Sequence, residues 1–134
     1  MPVRGDSFTV SLGETHLNWG THRYTNTRGI IYGEGYIPIP RGIARRIGIY
    51  NSNYTNGQDI LGVNIFNCTS ADGFFCGQVK MGGSSETGDI YAKNLQGNGN
   101  LQAIGSWFAN CNAIVGGQVE VTWLSPTDIT IRYI

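Results

Sequence analysis

Apolar and polar positions alternate along much of the chain. "SFTVSLGE" (Ser7–Glu14) sets Phe8, Val10 and Leu12 on one side and polar residues on the other, the period of two expected of a half-buried strand. Further strands are read at "IIYGEGYIPIP" (Ile30–Pro40), "ILGVNIFNCT" (Ile60–Thr69), "FFCGQVKM" (Phe74–Met81) and "DIYAKNLQ" (Asp89–Gln96). "GGQVEVTWL" (Gly116–Leu124) alternates Val119, Val121 and Trp123. "SPTD" (Ser125–Asp128) then turns it into "ITIRYI", making a terminal hairpin able to close a barrel. "NSNYTNGQD" (Asn51–Asp59) and "SADG" (Ser70–Gly73) are turn material.

Two stretches change period. After Pro40, a residue suited to a first helical position, Ile43 and Ile47 lie four apart and share a face that can plug a barrel end. Gly48 ends this helix, and Arg41, Arg45 and Arg46 are left toward water. In "LQAIGSWFAN", Leu101, Ile104, Trp107 and Phe108 form the stripe of a second short helix, which Gly105 weakens by about 1 kcal/mol. The pattern predicts a mostly β, seven-stranded barrel with two short helices in a single domain, residues 1–134.

Two other stretches carry no core signal. "THLNWGTHRYTNTRG" (Thr15–Gly29) surrounds its aromatics with hydrogen-bonding groups and reads as a projecting loop or ragged hairpin. "GGSSETG" (Gly82–Gly88) reads as the tip of a hairpin longer than a tight turn.

Composition narrows the class. With 40% hydrophobic and 13% charged residues the chain is not of the disordered type, and 20 glycines suit a turn-rich β protein. No run of apolar residues is long enough for a membrane span. "MPVRGDSFTV" lacks the apolar centre of a signal peptide, so a cytoplasmic protein is expected. Cys68, Cys76 and Cys111 are odd in number, contain no Cys-x-x-Cys pair and lie far in sequence from His16 and His22. Neither a disulfide framework nor a metal site is expected. The formal net charge of +0 hides an asymmetry. Between Thr15 and Asn56, five arginines (Arg23, Arg28, Arg41, Arg45, Arg46) face one acid, Glu34, which leaves +4. Such a face on a neutral molecule is an electrostatic footprint for a polyanion.

These pieces together resemble the DNA-binding pseudobarrel family, which includes plant transcription-factor domains of the auxin-response type and the recognition domains of some restriction endonucleases. The resemblance is carried by the Ile-Pro step opening a helix, "IPRGIARRI" (Ile39–Ile47), and by "SWFANCNAIVGGQVEVTWLSPTDITIRYI" (Ser106–Ile134). It covers roughly Ser7 to Ile134, and the glycine-rich hairpin brings the endonuclease branch closer than the plant one. Gly116-Gly117 stands where the family has Gly-Asp, which removes an acid that caps the turn. "YIPIPRGIARRIGI" also resembles small swapped-hairpin transcriptional regulators, but those are much shorter dimers, and the second helix and final hairpin fit a monomeric pseudobarrel.

The resemblance implies an open pseudobarrel that grips the major groove of double-stranded DNA with two arms, here Thr15–Gly35 and Lys80–Tyr91, jutting from one side of the sheet. Arginine pairs with guanine and asparagine with adenine in bidentate fashion, so Arg23, Asn26 and Arg28 are candidates for base readout in the first arm. Trp19, His22 and Tyr24 would pack beside a sugar or else stiffen the loop. In the second arm Lys80, Ser84, Ser85, Thr87 and Lys93 offer phosphate and base-edge contacts. Glu86 or Asp89 would accept from cytosine, or simply hold the hairpin. Arg41, Arg45 and Arg46 would anchor phosphates. The expected protein is a restriction-modification type recognition module or a stand-alone relative, monomeric and without a cofactor, any nuclease residing in another domain or chain.

Catalysis has little support in the sequence. Asp72, Gln78 and Lys80 are a weak echo of a metal-dependent nuclease motif with short spacing, and no Gly-x-Ser-x-Gly context surrounds a serine. No catalytic residue is expected. The alternatives are a carbohydrate- or protein-binding β-barrel using Trp19 and Tyr24, or a small nuclease using Asp72 and Lys80.

Overall fold

The alternation in the sequence becomes one seven-stranded sheet in a computed structural model, which describes residues 2–18, 33–51, 65–83 and 90–134. Strands β1 (Ser7–Ser11), β2 (Ile37–Pro38), β3 (Ile65–Ser70), β4 (Cys76–Gly82), β5 (Asn94–Gly97), β6 (Gln118–Trp123) and β7 (Asp128–Tyr133) pair in the order β1-β6-β7-β3-β4-β5-β2. The sheet is nearly closed as a barrel, and the fold is mostly β with a few short helices. Every pairing is antiparallel except β3 with β7, where Asn67 opposes Asp128 and Ser70 opposes Ile131 in parallel register.

The alternating residues face the core as their period requires. Phe8, Phe66, Val79, Met81, Leu95, Val119, Val121, Trp123, Ile129 and Ile131 are all buried. The Trp123 ring lies 6.2 Å from Phe8 and meets Phe66 edge-on at 5.7 Å, tying β1, β3 and β6 together. Burying each such side chain contributes about 1.5–3 kcal/mol.

Among the described residues there are three helices. Helix α2 (Arg41–Ile47) buries Ala44 and Ile47 and leaves its arginines exposed. It ends at Gly48, whose φ of 82° is the left-handed conformation that glycine adopts without strain. Helix α3 (Gln102–Asn110) buries Ile104, Trp107 and Phe108. The one-turn helix α1 (Glu14–Leu17) falls where the sequence predicts a loop. Its signal is too short to show a period: the Gly13 amide donates to His16 Nδ1 at 2.7 Å, a cap supplied from inside the turn.

Two predicted strands are shorter than the sequence suggests. Of the described residues in Ile30–Pro40, only Ile37 and Pro38 join the sheet. Ahead of them, Gly35 N donates to Leu101 O at 3.2 Å and Tyr36 N to His16 O at 3.1 Å, so the backbone serves α1 and α3 rather than a neighbouring strand. In Asp89–Gln96, pairing with β4 begins at Asn94. The parts of the predicted strands at 30–32, 60–64 and 89 lie outside the described residues.

The turn at Gly116-Gly117 is held by backbone and hydroxyl groups. Gly116 takes a φ of 89°, its amide donates to Leu12 O at 2.8 Å, and the Tyr133 hydroxyl accepts from Ile114 N at 3.2 Å.

Candidate nucleic-acid interface

Helix α2 sits beside the base of the second arm. Ile39 N donates to Lys93 O at 2.7 Å, and Lys93 N donates to Gly82 O at 2.8 Å, which joins the start of α2 to β5 and β4. Arg41, Arg45, Arg46 and Lys93 are exposed there, and Lys80 on β4 is half-buried. The start of α2 and Lys93 thus lie at the end of the β4–β5 pair where Gly82 opposes Asn94, and Lys80 lies two residues further along β4. Arg45 differs from its neighbours in that its guanidinium lies 5.8 Å from the Tyr91 ring centroid.

The outward face of β4 and β5 holds residues that the sequence reading passed over. Lys80 opposes Gln96, and Gly82 opposes Asn94. The Gln96 amide reaches over the bare backbone of Gly82, since a Cβ there would stand 3.4 Å from Gln96 Oε1. Asn98 Nδ2 donates to Gln78 Oε1 at 3.2 Å, and on the neighbouring strands Asn67 Nδ2 donates to Asp128 Oδ1 at 3.2 Å. Asparagine is a poor strand former, yet amides recur on this surface. The signal that could have found them is amides at every second position of predicted strands, on the side away from the core. Asn67, Gln78 and Asp128 line a shallow concavity there with Thr69 and Ser125. The Asp128 carboxyl is held below the ordinary range, chiefly by the hydroxyls of Ser125 and Thr127 and then by Asn67.

The bases of the two arms lie at opposite ends of β5. On one side Gly33 and Gly35 pack against α3 at Leu101, Gln102 and Gly105, beyond the last residue of β5. On the other, Gly83 and Ile90 flank the second arm before β5 begins. The four residues of β5 span about 10 Å from first to last, three steps of roughly 3.3 Å each. Trp19, His22, Arg23, Tyr24, Asn26 and Arg28 of the first arm, and Ser84, Ser85, Glu86, Thr87 and Asp89 of the second, lie outside the described residues.

The first base is built on glycine for a steric reason. A Cβ on Gly105 would overlap the Gly33 carbonyl oxygen, and one on Gly35 would stand 3.1 Å from Phe108 Cδ2 and 3.2 Å from Gly105 Cα. The backbone of the loop before β2 and the backbone of α3 touch directly.

Asp72 and Lys80 are not brought together. Lys80 opposes Ile65 at the start of β3, whereas Asp72 lies in the turn after Ser70 at its end, so the length of a strand, about 17 Å, separates them. The Asp72 carboxylate instead accepts from Ser70 Oγ, from Phe74 N at 3.0 Å, from Trp107 Nε1 at 3.1 Å, from Asn110 Nδ2 at 3.4 Å and from Cys111 Sγ at 3.5 Å. The Ser70 hydroxyl first and the Phe74 amide second hold its carboxyl down at about 2. Burial, with the nearby Asp72 charge, pushes the Cys111 thiol up to about 11. Among the described residues no three His, Cys, Asp or Glu side chains are grouped to hold a metal ion. None of their helices is long and apolar enough to cross a membrane.

A nearly closed β sheet with exposed cations at one end and an amide-rich outer face defines a class of barrel-like domain. No family model matches the sequence, and no curated protein does. Among solved structures, the N-terminal domain of Helicobacter pylori LlaJI.R1 is similar, with a TM-score of 0.53 and 11% identity over 96% of this chain and 86% of that one. At this identity the likeness is one of fold.

Proposed function

We propose that this protein is a sequence-specific double-stranded DNA-binding domain of the pseudobarrel type, gripping the major groove with two arms. Its place would be that of a target-recognition module of a restriction endonuclease or of a stand-alone relative, any cleavage belonging to another domain or chain. The observation that carries this reading is the exposure of Arg41, Arg46 and Lys93 where α2 meets the Gly82–Asn94 end of the β4–β5 pair, on a protein without net charge. Confined positive charge beside hydrogen-bonding amides suits phosphates flanking readable base edges. The barrel-like fold shared with the N-terminal domain of Helicobacter pylori LlaJI.R1 is compatible with this reading.

Selection from a random duplex library at two salt concentrations tests this. The expected result is one enriched sequence whose affinity falls steeply with salt through counterion release. Binding insensitive to salt, or none enriched, would favour the carbohydrate- or protein-binding alternative instead.

A further inference from the structure

The segment from Arg45 to Asn51 touches both flanks of the second arm. On the outgoing flank Tyr50 forms an isolated antiparallel bridge with Tyr91. Beside it, Ala92 N donates to Ile49 O at 3.0 Å and Asn51 N to Ile90 O at 2.9 Å. On the ingoing flank Gly83 backs onto the fully buried Asn51, where a Cβ would stand 3.1 Å from Asn51 Nδ2. Over this base the rings of Tyr50 and Tyr91 stack at 5.5 Å and 20°, and Arg45 lies over Tyr91 in turn.

A guanidinium laid on an aromatic face is attracted by the ring and presses its flat surface there, so its position is set by the protein. Among the described residues, Arg45 alone of the three α2 arginines is seated on an aromatic ring.

We propose that Arg45, Tyr91 and Tyr50 form a clamp across the base of the second arm, Arg45 acting as a positioning residue for DNA recognition and not as a phosphate contact. This rests on the DNA-binding reading above. Arg41 and Arg46 supply the phosphate contacts of the helix, while the clamp holds the two flanks of the arm, Gly83 and Ile90–Ala92, against the segment after α2.

The test compares Arg45→Ala, Tyr91→Leu, their double variant and Arg46→Ala by two measurements. In the free protein, amide exchange at Asn51 and Ala92 should speed about two- to fivefold in Arg45→Ala, the range of an exposed cation–π contact. It should also speed in Tyr91→Leu, the Arg45 change adding nothing in the double variant, and stay unchanged in Arg46→Ala. With the selected duplex, Arg45→Ala and Tyr91→Leu should weaken affinity at an unchanged salt slope, whereas Arg46→Ala should reduce the slope by about 0.9. A slope reduced by about 0.9 in Arg45→Ala, with exchange unaltered, would overturn the clamp. If Tyr91→Leu does not fold, Arg45→Ala alone decides, because the two roles predict opposite results in both measurements. If no duplex binds at any salt, the DNA reading falls and exchange in the free protein still decides whether the clamp exists.

Discussion

The indole Nε1 of Trp107 donates to Asp72 Oδ2 at 3.1 Å, joining the buried face of α3 to the turn between β3 and β4. A carboxylate that sequence reading offers as an alternative nuclease group is thus a structural staple, its oxygens shared among five donors.

Acid should loosen this staple. Because the folded state holds the Asp72 carboxyl at about 2, below its ordinary 3.8, its contribution is complete above pH 3.8 and lost as pH falls through about 2. Thermal unfolding followed against pH should show Asp72→Asn to have a lower Tm than the parent at neutral pH. The gap should narrow below pH 3.8; a gap independent of pH would sink the assignment.

Gly105→Ala should destabilise the protein although alanine is the better helix former. The propensity gain is about 1 kcal/mol, but the new Cβ must displace the Gly33 carbonyl, and forcing volume into close packing costs about 1–3 kcal/mol. Since backbone must move, the loss should lie near the upper end. Urea unfolding measures the difference, and a net gain in stability would mean that α3 and the Gly33–Gly35 backbone are not in contact.

His16 should titrate below 6.5. Burial lowers its pKa, and Nδ1 accepts from the Gly13 amide, so the neutral Nε2–H tautomer is the one that caps α1. A depressed histidine contributes fully above pH 6.5, and that part is lost as pH falls toward the lowered folded value. Nitrogen chemical shifts followed through a pH titration would identify both tautomer and midpoint; an Nδ1–H form at neutral pH contradicts the cap.

The two kinds of DNA contact should separate by mutation. Arg41→Ala should weaken all duplexes alike and lower the salt slope by about 0.9. Arg23→Ala or Arg28→Ala should cost about 1–3 kcal/mol and relax specificity at a single base pair. Fluorescence anisotropy against a panel of single-base variants reads both effects, and unchanged affinity for the best site in both first-arm variants would remove that arm from base readout.

Much of the architecture was legible because it rests on local rules. Val119, Val121 and Trp123 alternate, Ile129 and Ile131 follow in step, and a two-residue period leaves few choices of buried face. Pro40 and Gly48 bracket α2 with conformations that their own covalent structure favours. Helix α1 escaped notice because one turn has no period and its cap is a histidine. Residues 33–36 were misread because strand-like composition cannot say which partner the backbone will bond.

The sequence alone determined the β class, the inward residues of the main strands, the arginine-bearing helix and the two stretches without core signal. Tertiary structure decided the parallel pairing of β3 with β7, the contact that makes Gly105 necessary, the use of Asp72 as a staple, and the seating of Arg45 on Tyr91. The physical reason is one of range. Periodicity and capping act over a few residues of chain, whereas these contacts join groups that only the folded, nearly closed sheet brings within bonding distance.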